Sequence, residues 1–231
     1  MNNNHIKPKT VQNFFEGQLL HAISLIVLLG VAHLISIRPE FTRGQLWGLD
    51  SRTWFFLSLI IPVVHQVYVW ICWRSELHAQ SVSRLFGRMG FPLYATGFSI
   101  LGIFRVAVVY FLAVSNAGTF MLKGVFMQAA AILALIPALY LFYSVKRYFT
   151  ATRAFGADHF HPAYRNQPFE KRGIFRYTEN GMYIYGFLIL WVPGLWFSSS
   201  AALAAALFNH IYIWVHYFAT EKPDMRHIYE K

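Results

Sequence analysis

The stretch IYGFLILWVPGLWFSSSAALAAALFNHIYIWVHYFA, from Ile184 to Ala219, decides how this chain is built. It is almost wholly apolar, and it breaks once, at Pro193, Gly194 and Ser198-Ser199-Ser200. The break divides it into two arms, about Met182 to Phe197 and Ala201 to Ala219. Two arms of that length predict a helical hairpin that crosses a bilayer and returns; a re-entrant pair is the alternative. Polar patches bracket the run: FRYTENGMY (Phe175 to Tyr183) and TEKPDMRHIY (Thr220 to Tyr229). A hairpin brings them together on one face.

Four more apolar runs precede the hairpin. They are roughly Gly17 to Ile37, Thr53 to Trp73, Pro92 to Val114 and Val125 to Val145. Each suits a spanning helix of about 17–25 residues. Of all residues 56% are hydrophobic and 13% charged, about half the charge of a soluble domain. The expected fold is all-α: a polytopic transmembrane helix bundle of five to six spans with a C-terminal helical hairpin. Residues 1–231 read as a single integral membrane domain, with a flexible tail over 1–16. The polar N-terminus lacks the form of a cleaved signal. One cysteine, Cys72, excludes an intrachain disulfide.

Net charge is +10, and its placement is more informative than its size. Six spans put fifteen of the twenty Lys and Arg residues on one side, leaving Arg38, Arg43, Arg52 and Lys123 in loops on the other. The positive-inside rule then sets both termini in the cytoplasm, at a bacterial inner membrane or the endoplasmic reticulum. Such a face attracts anionic lipid. Basic residues strung between spans form no separate domain, which argues against nucleic acid. Arg74 to Gly90 reads as an interfacial helix or a helix extension. The polar stretch Lys146 to Gly181 is too long for a plain connection.

Several residues carry possible chemistry, each with a plainer alternative. Glu221, at the end of the last arm, can accept hydrogen bonds from an ammonium group or ribose hydroxyls. Equally it is a solvated charge beside Lys222 or Arg226. Asn180, Gly181, Met182 and Tyr183 offer an amide, a flexible backbone and an aromatic hydroxyl, or simply a turn ending in an interfacial tyrosine. His159 and His161 flank Phe160 after Asp158, a spacing that could bind metal, but the other eight histidines are scattered and form no clustered boxes, so no metal is expected. Arg105 lies inside the third span, either as a functional charge or snorkelling to the headgroups.

Together the two patches resemble a known family. GIFRYTENGMY is similar to an element of the isoprenylcysteine carboxyl methyltransferase superfamily, and its N-x-M-Y core is closer to the N-P-M-Y of phosphatidylethanolamine N-methyltransferases. EKPDMRHIY resembles the ending of that phospholipid branch, and SRLFGRMGFPLY and FGADHF resemble it more loosely. The resemblance implies an enzyme using S-adenosylmethionine to methylate the amine headgroup of a membrane phospholipid, phosphatidylethanolamine or its partly methylated forms. It implies a cofactor-binding part over 146–231, lined by Phe169, Glu170, Phe175, Asn180, Gly181, Met182, Tyr183 and Glu221. For the proton of the acceptor amine, Glu179, Asp158 and His159 are the candidate catalytic bases. Three departures stand out. Lys222 replaces a second glutamate, Gly181 replaces the proline, and RYFTATR occupies the place of a glycine-rich element. The rivals are a sister methyltransferase acting on a carboxylate, thiol or other small hydrophobic acceptor, a sterol-reductase-like enzyme, and a transporter.

Overall fold

The structure is a computed structural model, and it describes residues 8–122, 124–165 and 167–229. Eight helices, labelled here in chain order, organise the fold. They are α1 (Pro8–Phe15), α2 (Gln18–Ser36), α3 (Ser51–Ala79), α4 (Gly90–Ser115), α5 (Val125–Ser144), α6 (Leu188–Trp196), α7 (Ser200–His216) and α8 (Lys222–Tyr229). A two-residue hairpin, β1 (Gln45–Leu46) and β2 (Leu49–Asp50), sits ahead of α3. Five helical stretches are long and apolar enough to cross a membrane, and a shorter apolar arm, Met182–Trp196, precedes α7. The chain is thus an all-α polytopic bundle.

Local signals account for the boundaries. The Asp50 carboxylate accepts from the Thr53 N–H at 2.7 Å and caps α3. Gln80 adopts a left-handed conformation that stops it. The chain resumes as a short helix, Ser81–Phe86, across the segment expected to extend the helix or lie at the interface. Ser199 caps α7 by accepting from the Ala202 N–H at 3.1 Å. The stretch expected to be a flexible tail instead holds α1, because Pro8 suits a helix start and Phe14 packs on Trp70 of α3. Residues 1–7 of that stretch, Lys123 and Lys231 lie outside the described residues.

At the centre stands α7. Its Ala201, Ala202, Ala205 and Ala206 are fully buried, so neighbouring backbones approach closely. Around it pack α2, α3, α4 and α6, while α5 packs along α6. Outward faces, such as Leu19, Ile26 and Leu34 of α2, are exposed and apolar, as lipid contact requires.

The short arm reaches the far side of the bundle. At the hairpin tip, the Ser199 hydroxyl donates to the Asn116 Oδ1 at 2.9 Å, and the Gly118 and Phe120 N–H groups donate to the carbonyls of Phe197 and Ser198. The Asn116 amide in turn donates to the carbonyls of Glu40 and Arg43. The tip therefore meets the loops that follow α2 and α4, and both arms traverse the bundle as helices. Both polar patches return to the other face, called the site face below.

Candidate functional site

The site face is where three helices lose α-helical regularity. Val145–Phe149, Met182–Gly186 and Tyr217–Glu221 each form a π-helical turn. A π turn inserts a residue and rotates the helix beyond it, so side chains five apart come to one face. On α7 this brings Glu221 onto the face of His216. On the arm into α6 it turns Tyr183 inward. The Tyr183 hydroxyl donates to a carboxylate oxygen of Glu221. Its ring rests against Trp214 and Tyr217, with centroids 5.7 Å and 5.5 Å away. The two polar patches are thus joined by a direct side-chain contact.

Beneath that contact lies a chamber of about 430 Å³, lined by α3, α4, α5, α6 and α7. Its walls are mostly apolar, with Trp73, Phe98 and Phe155 among them, and its polar groups are few: Glu221, His216, Gln66, His65 and Arg105. Glu221 has no cationic partner among the described residues. Both ring nitrogens of His65 and of His216 are buried without a hydrogen-bond partner among the described residues. Val106 and Phe142 line the chamber and are also exposed on the outer surface, which marks a side window between α4 and α5.

Behind Trp73 a second polar cluster holds the site face together. Arg74 and Asp224 are fully buried and paired, Nε to Oδ1 at 2.9 Å. The rest of the Arg74 guanidinium donates to the carbonyls of Asn13, Phe14 and Glu16 and to those of Ala219 and Thr220. One side chain thus pins the turn before α2 to the π turn carrying Glu221. Gly17 makes that approach possible: its φ is +75°, and a Cβ there would lie 2.4 Å from the Ala219 carbonyl oxygen. His159 stacks on Trp73 at 4.1 Å and sets Nε2 3.4 Å from the free oxygen of Asp224. The Tyr229 hydroxyl donates to Asp158 at 2.7 Å.

An open basin of about 820 Å³ lies beside the chamber on the same face, lined by residues 169–173 and 175–179 and Tyr148. Phe175 stacks on Phe149, and the Ile174 N–H donates to the Ser144 hydroxyl, which fixes the loop to the end of α5. In the basin Glu170 accepts from Arg172 through both oxygens, at 2.8 Å and 2.9 Å, and from the Lys171 and Arg172 backbone N–H groups. Hydrogen bonds from Arg172 hold the Glu170 carboxyl down at about 2.

Residues 125–231, the part carrying the chamber-facing π turns, match the model of the phospholipid methyltransferase family. Over these residues, which make up less than half of the chain, the protein is similar to that family. No curated protein and no solved structure matches it.

The residues suggested by the sequence are divided between two spaces. Met182, Tyr183 and Glu221 line the chamber. Phe169, Glu170, Phe175 and Glu179 line the basin. Asn180 and Gly181 form the ridge between, where the Asn180 carbonyl accepts the first N–H groups of the arm, from Tyr183 and Ile184. The backbone at Gly181 has φ of −54°, which proline also adopts. Lys222 extends over the Phe218 ring and does not line the chamber, so the lost second glutamate leaves its wall unchanged. Asp158 and His159 lie outside the chamber lining, with His159 stacked on the Trp73 ring that forms part of its wall. Arg105 points inward, donating to Asn209 at 2.5 Å and lying 4.7 Å over Phe187, and so does not snorkel. Sequence reasoning missed His65, His216 and the Arg74–Asp224 pair. A histidine or arginine within an apolar run was the available signal, and Arg105 was the only one to draw notice.

Proposed function

We propose that the protein is an S-adenosylmethionine-dependent methyltransferase that methylates the amine headgroup of a membrane phospholipid, phosphatidylethanolamine or its partly methylated forms. The observation that carries this reading is the Tyr183–Glu221 contact, which joins both motifs in the wall of a mostly apolar chamber between the helices.

The residues present fit a cationic methyl donor. Glu221 is a carboxylate without a cation, facing the chamber, and a positively charged ligand supplies the missing counter-charge. Tyr183 holds that carboxylate in one orientation, and Met182 adds a polarisable wall. Phe169, Glu170, Phe175, Asn180 and Gly181 shape the polar approach from the basin. When bound, S-adenosylmethionine supplies a methyl group activated by a positively charged sulfur.

The remaining work is positioning and proton removal. A protonated amine has no lone pair, so the acceptor nitrogen must lose its proton before it attacks. Burial in an apolar chamber favours the neutral amine. His216 faces the same space as Glu221, with free ring nitrogens, and is the group placed to take the proton. Glu179, Asp158 and His159 would serve only through a relay, since none of them lines the chamber. Aromatic faces such as Tyr183 favour the methylated ammonium product. The site face, carrying most of the basic residues, is the cytoplasmic one in this reading, with both termini on it and anionic lipid gathered beside it.

Mass spectrometry of lipids extracted after incubating purified protein with methyl-labelled donor and phosphatidylethanolamine tests the reading. Labelled mono-, di- or trimethylated headgroups are expected. Label found only on a carboxylate or thiol would reassign the protein to the sister methyltransferases, and no transfer to any acceptor would overturn the reading.

A further inference from the structure

The deep end of the chamber contains more charge than amine methylation requires. Arg105 is 95% buried, at 5% exposure, halfway along α4. Its Nε and Nη2 are engaged by Asn209, and its Nη1 makes no hydrogen bond among the described residues. No carboxylate pairs with it: the ion pairs among the described residues join Arg74 to Asp224, Arg172 to Glu170, and histidines to Asp224 and Glu16. His65 is equally buried at 5%, lines the same chamber, and has both nitrogens free. His216, at 2%, repeats the pattern one level nearer the site face. The neighbouring walls, Phe98, Phe187 and Gly102, offer no acceptor.

A lone guanidinium inside a bilayer-spanning bundle is costly unless something balances it. Asn209 and the Phe187 ring supply dipole and quadrupole, not charge. The unfilled role is that of an anion with oxygen acceptors. The free Arg105 nitrogen and a ring N–H of His65 are its natural donors.

We propose that the inner end of the chamber is a binding site for the anionic group, carboxylate or phosphate, of an amphiphile whose chain leaves through the window at Val106 and Phe142. Asn209, the Arg105 partner, precedes Glu221 by twelve residues on the same helix, about 18 Å along its axis. An occupant touching both ends is therefore elongated. Reading that occupant as the methyl acceptor rests on the proposed function; the anion site itself does not.

Binding of tritiated oleate to the full chain in neutral maltoside micelles, with no methyl donor present, tests the proposal. Saturable binding is expected, displaced by oleyl phosphate, while oleyl alcohol, with the same chain and no charge, competes at least about tenfold more weakly, as expected for loss of a hydrogen-bonded charge. Inorganic phosphate, having no chain, should not compete. Arg105→Met should erase the advantage of acid over alcohol, and Arg105→Lys should retain it. Should Arg105→Met fail to fold, His65→Leu decides, with weakened oleate binding expected. Equal competition by alcohol and acid, full displacement by inorganic phosphate, or unchanged oleate affinity in both neutral variants would overturn the site. Oleate binding without any methyl transfer would sink the proposed function and leave the anion site standing; transfer to phosphatidylethanolamine without oleate binding would do the reverse.

Discussion

At the scale of single residues, Glu221 and Glu170 show how environment separates two carboxylates within one family region. Glu170 is satisfied by its own loop, whereas Glu221 faces the chamber with the Tyr183 hydroxyl as its hydrogen-bond partner among the described residues. Glu221→Gln keeps the size and the tyrosine contact but removes the charge. It should weaken binding of S-adenosylmethionine by about tenfold or more, measured by calorimetry in detergent, with little change in thermal midpoint. For Glu170 the sign of the pH effect is set by its lowered value. The unfolded chain titrates near 4.5 and the folded one at about 2. The chelate therefore favours the folded loop at every pH above 4.5, and that contribution is lost as pH falls through about 2. A carbon-13 NMR titration should find the Glu170 carboxyl titrating at about 2, and Arg172→Gln should move it back toward 4.5.

Among the elements, the π turns and the Arg74 clamp were the least legible features. Hydropathy located every spanning segment because each apolar run is long, and only the third holds a charge, Arg105. Nothing in hydropathy distinguishes an α turn from a π turn, since both bury the same side chains. The pairing of the two patches was legible because motifs that flank a hairpin must meet at its base. The Arg74–Asp224 pair was not, because its partners are 150 positions apart. Arg74 read as one of many charges obeying a topological rule, and its burial became apparent only once α1, α3 and α8 were assembled. Arg74→Gln leaves Asp224 buried without its partner and five backbone carbonyls poorly served. A loss of about 3–5 kcal/mol is expected, read as a lowered midpoint in thermal unfolding in micelles. Asn116→Ala, which strips the hairpin tip of its clamp, should also lower that midpoint while leaving the site face, on the other side of the bundle, able to bind donor.

For the whole molecule, the topology makes a two-sided prediction. In a Cys72→Ser background, single cysteines at Met121 and Trp196 should react with a membrane-impermeant maleimide from the same side of sealed vesicles, and a cysteine at Tyr177 from the other. Labelling of Trp196→Cys together with Tyr177→Cys would mean that the hairpin turns back before crossing. The side window between α4 and α5 also bears on how turnover should be measured. An acceptor arriving through it comes from the surrounding lipid, so what governs saturation is its mole fraction in the bilayer and not its concentration in the flask. Diluting it with inert lipid at constant total acceptor should slow the proposed transfer as firmly as withholding it, whereas the donor, arriving from water, should be indifferent to that dilution.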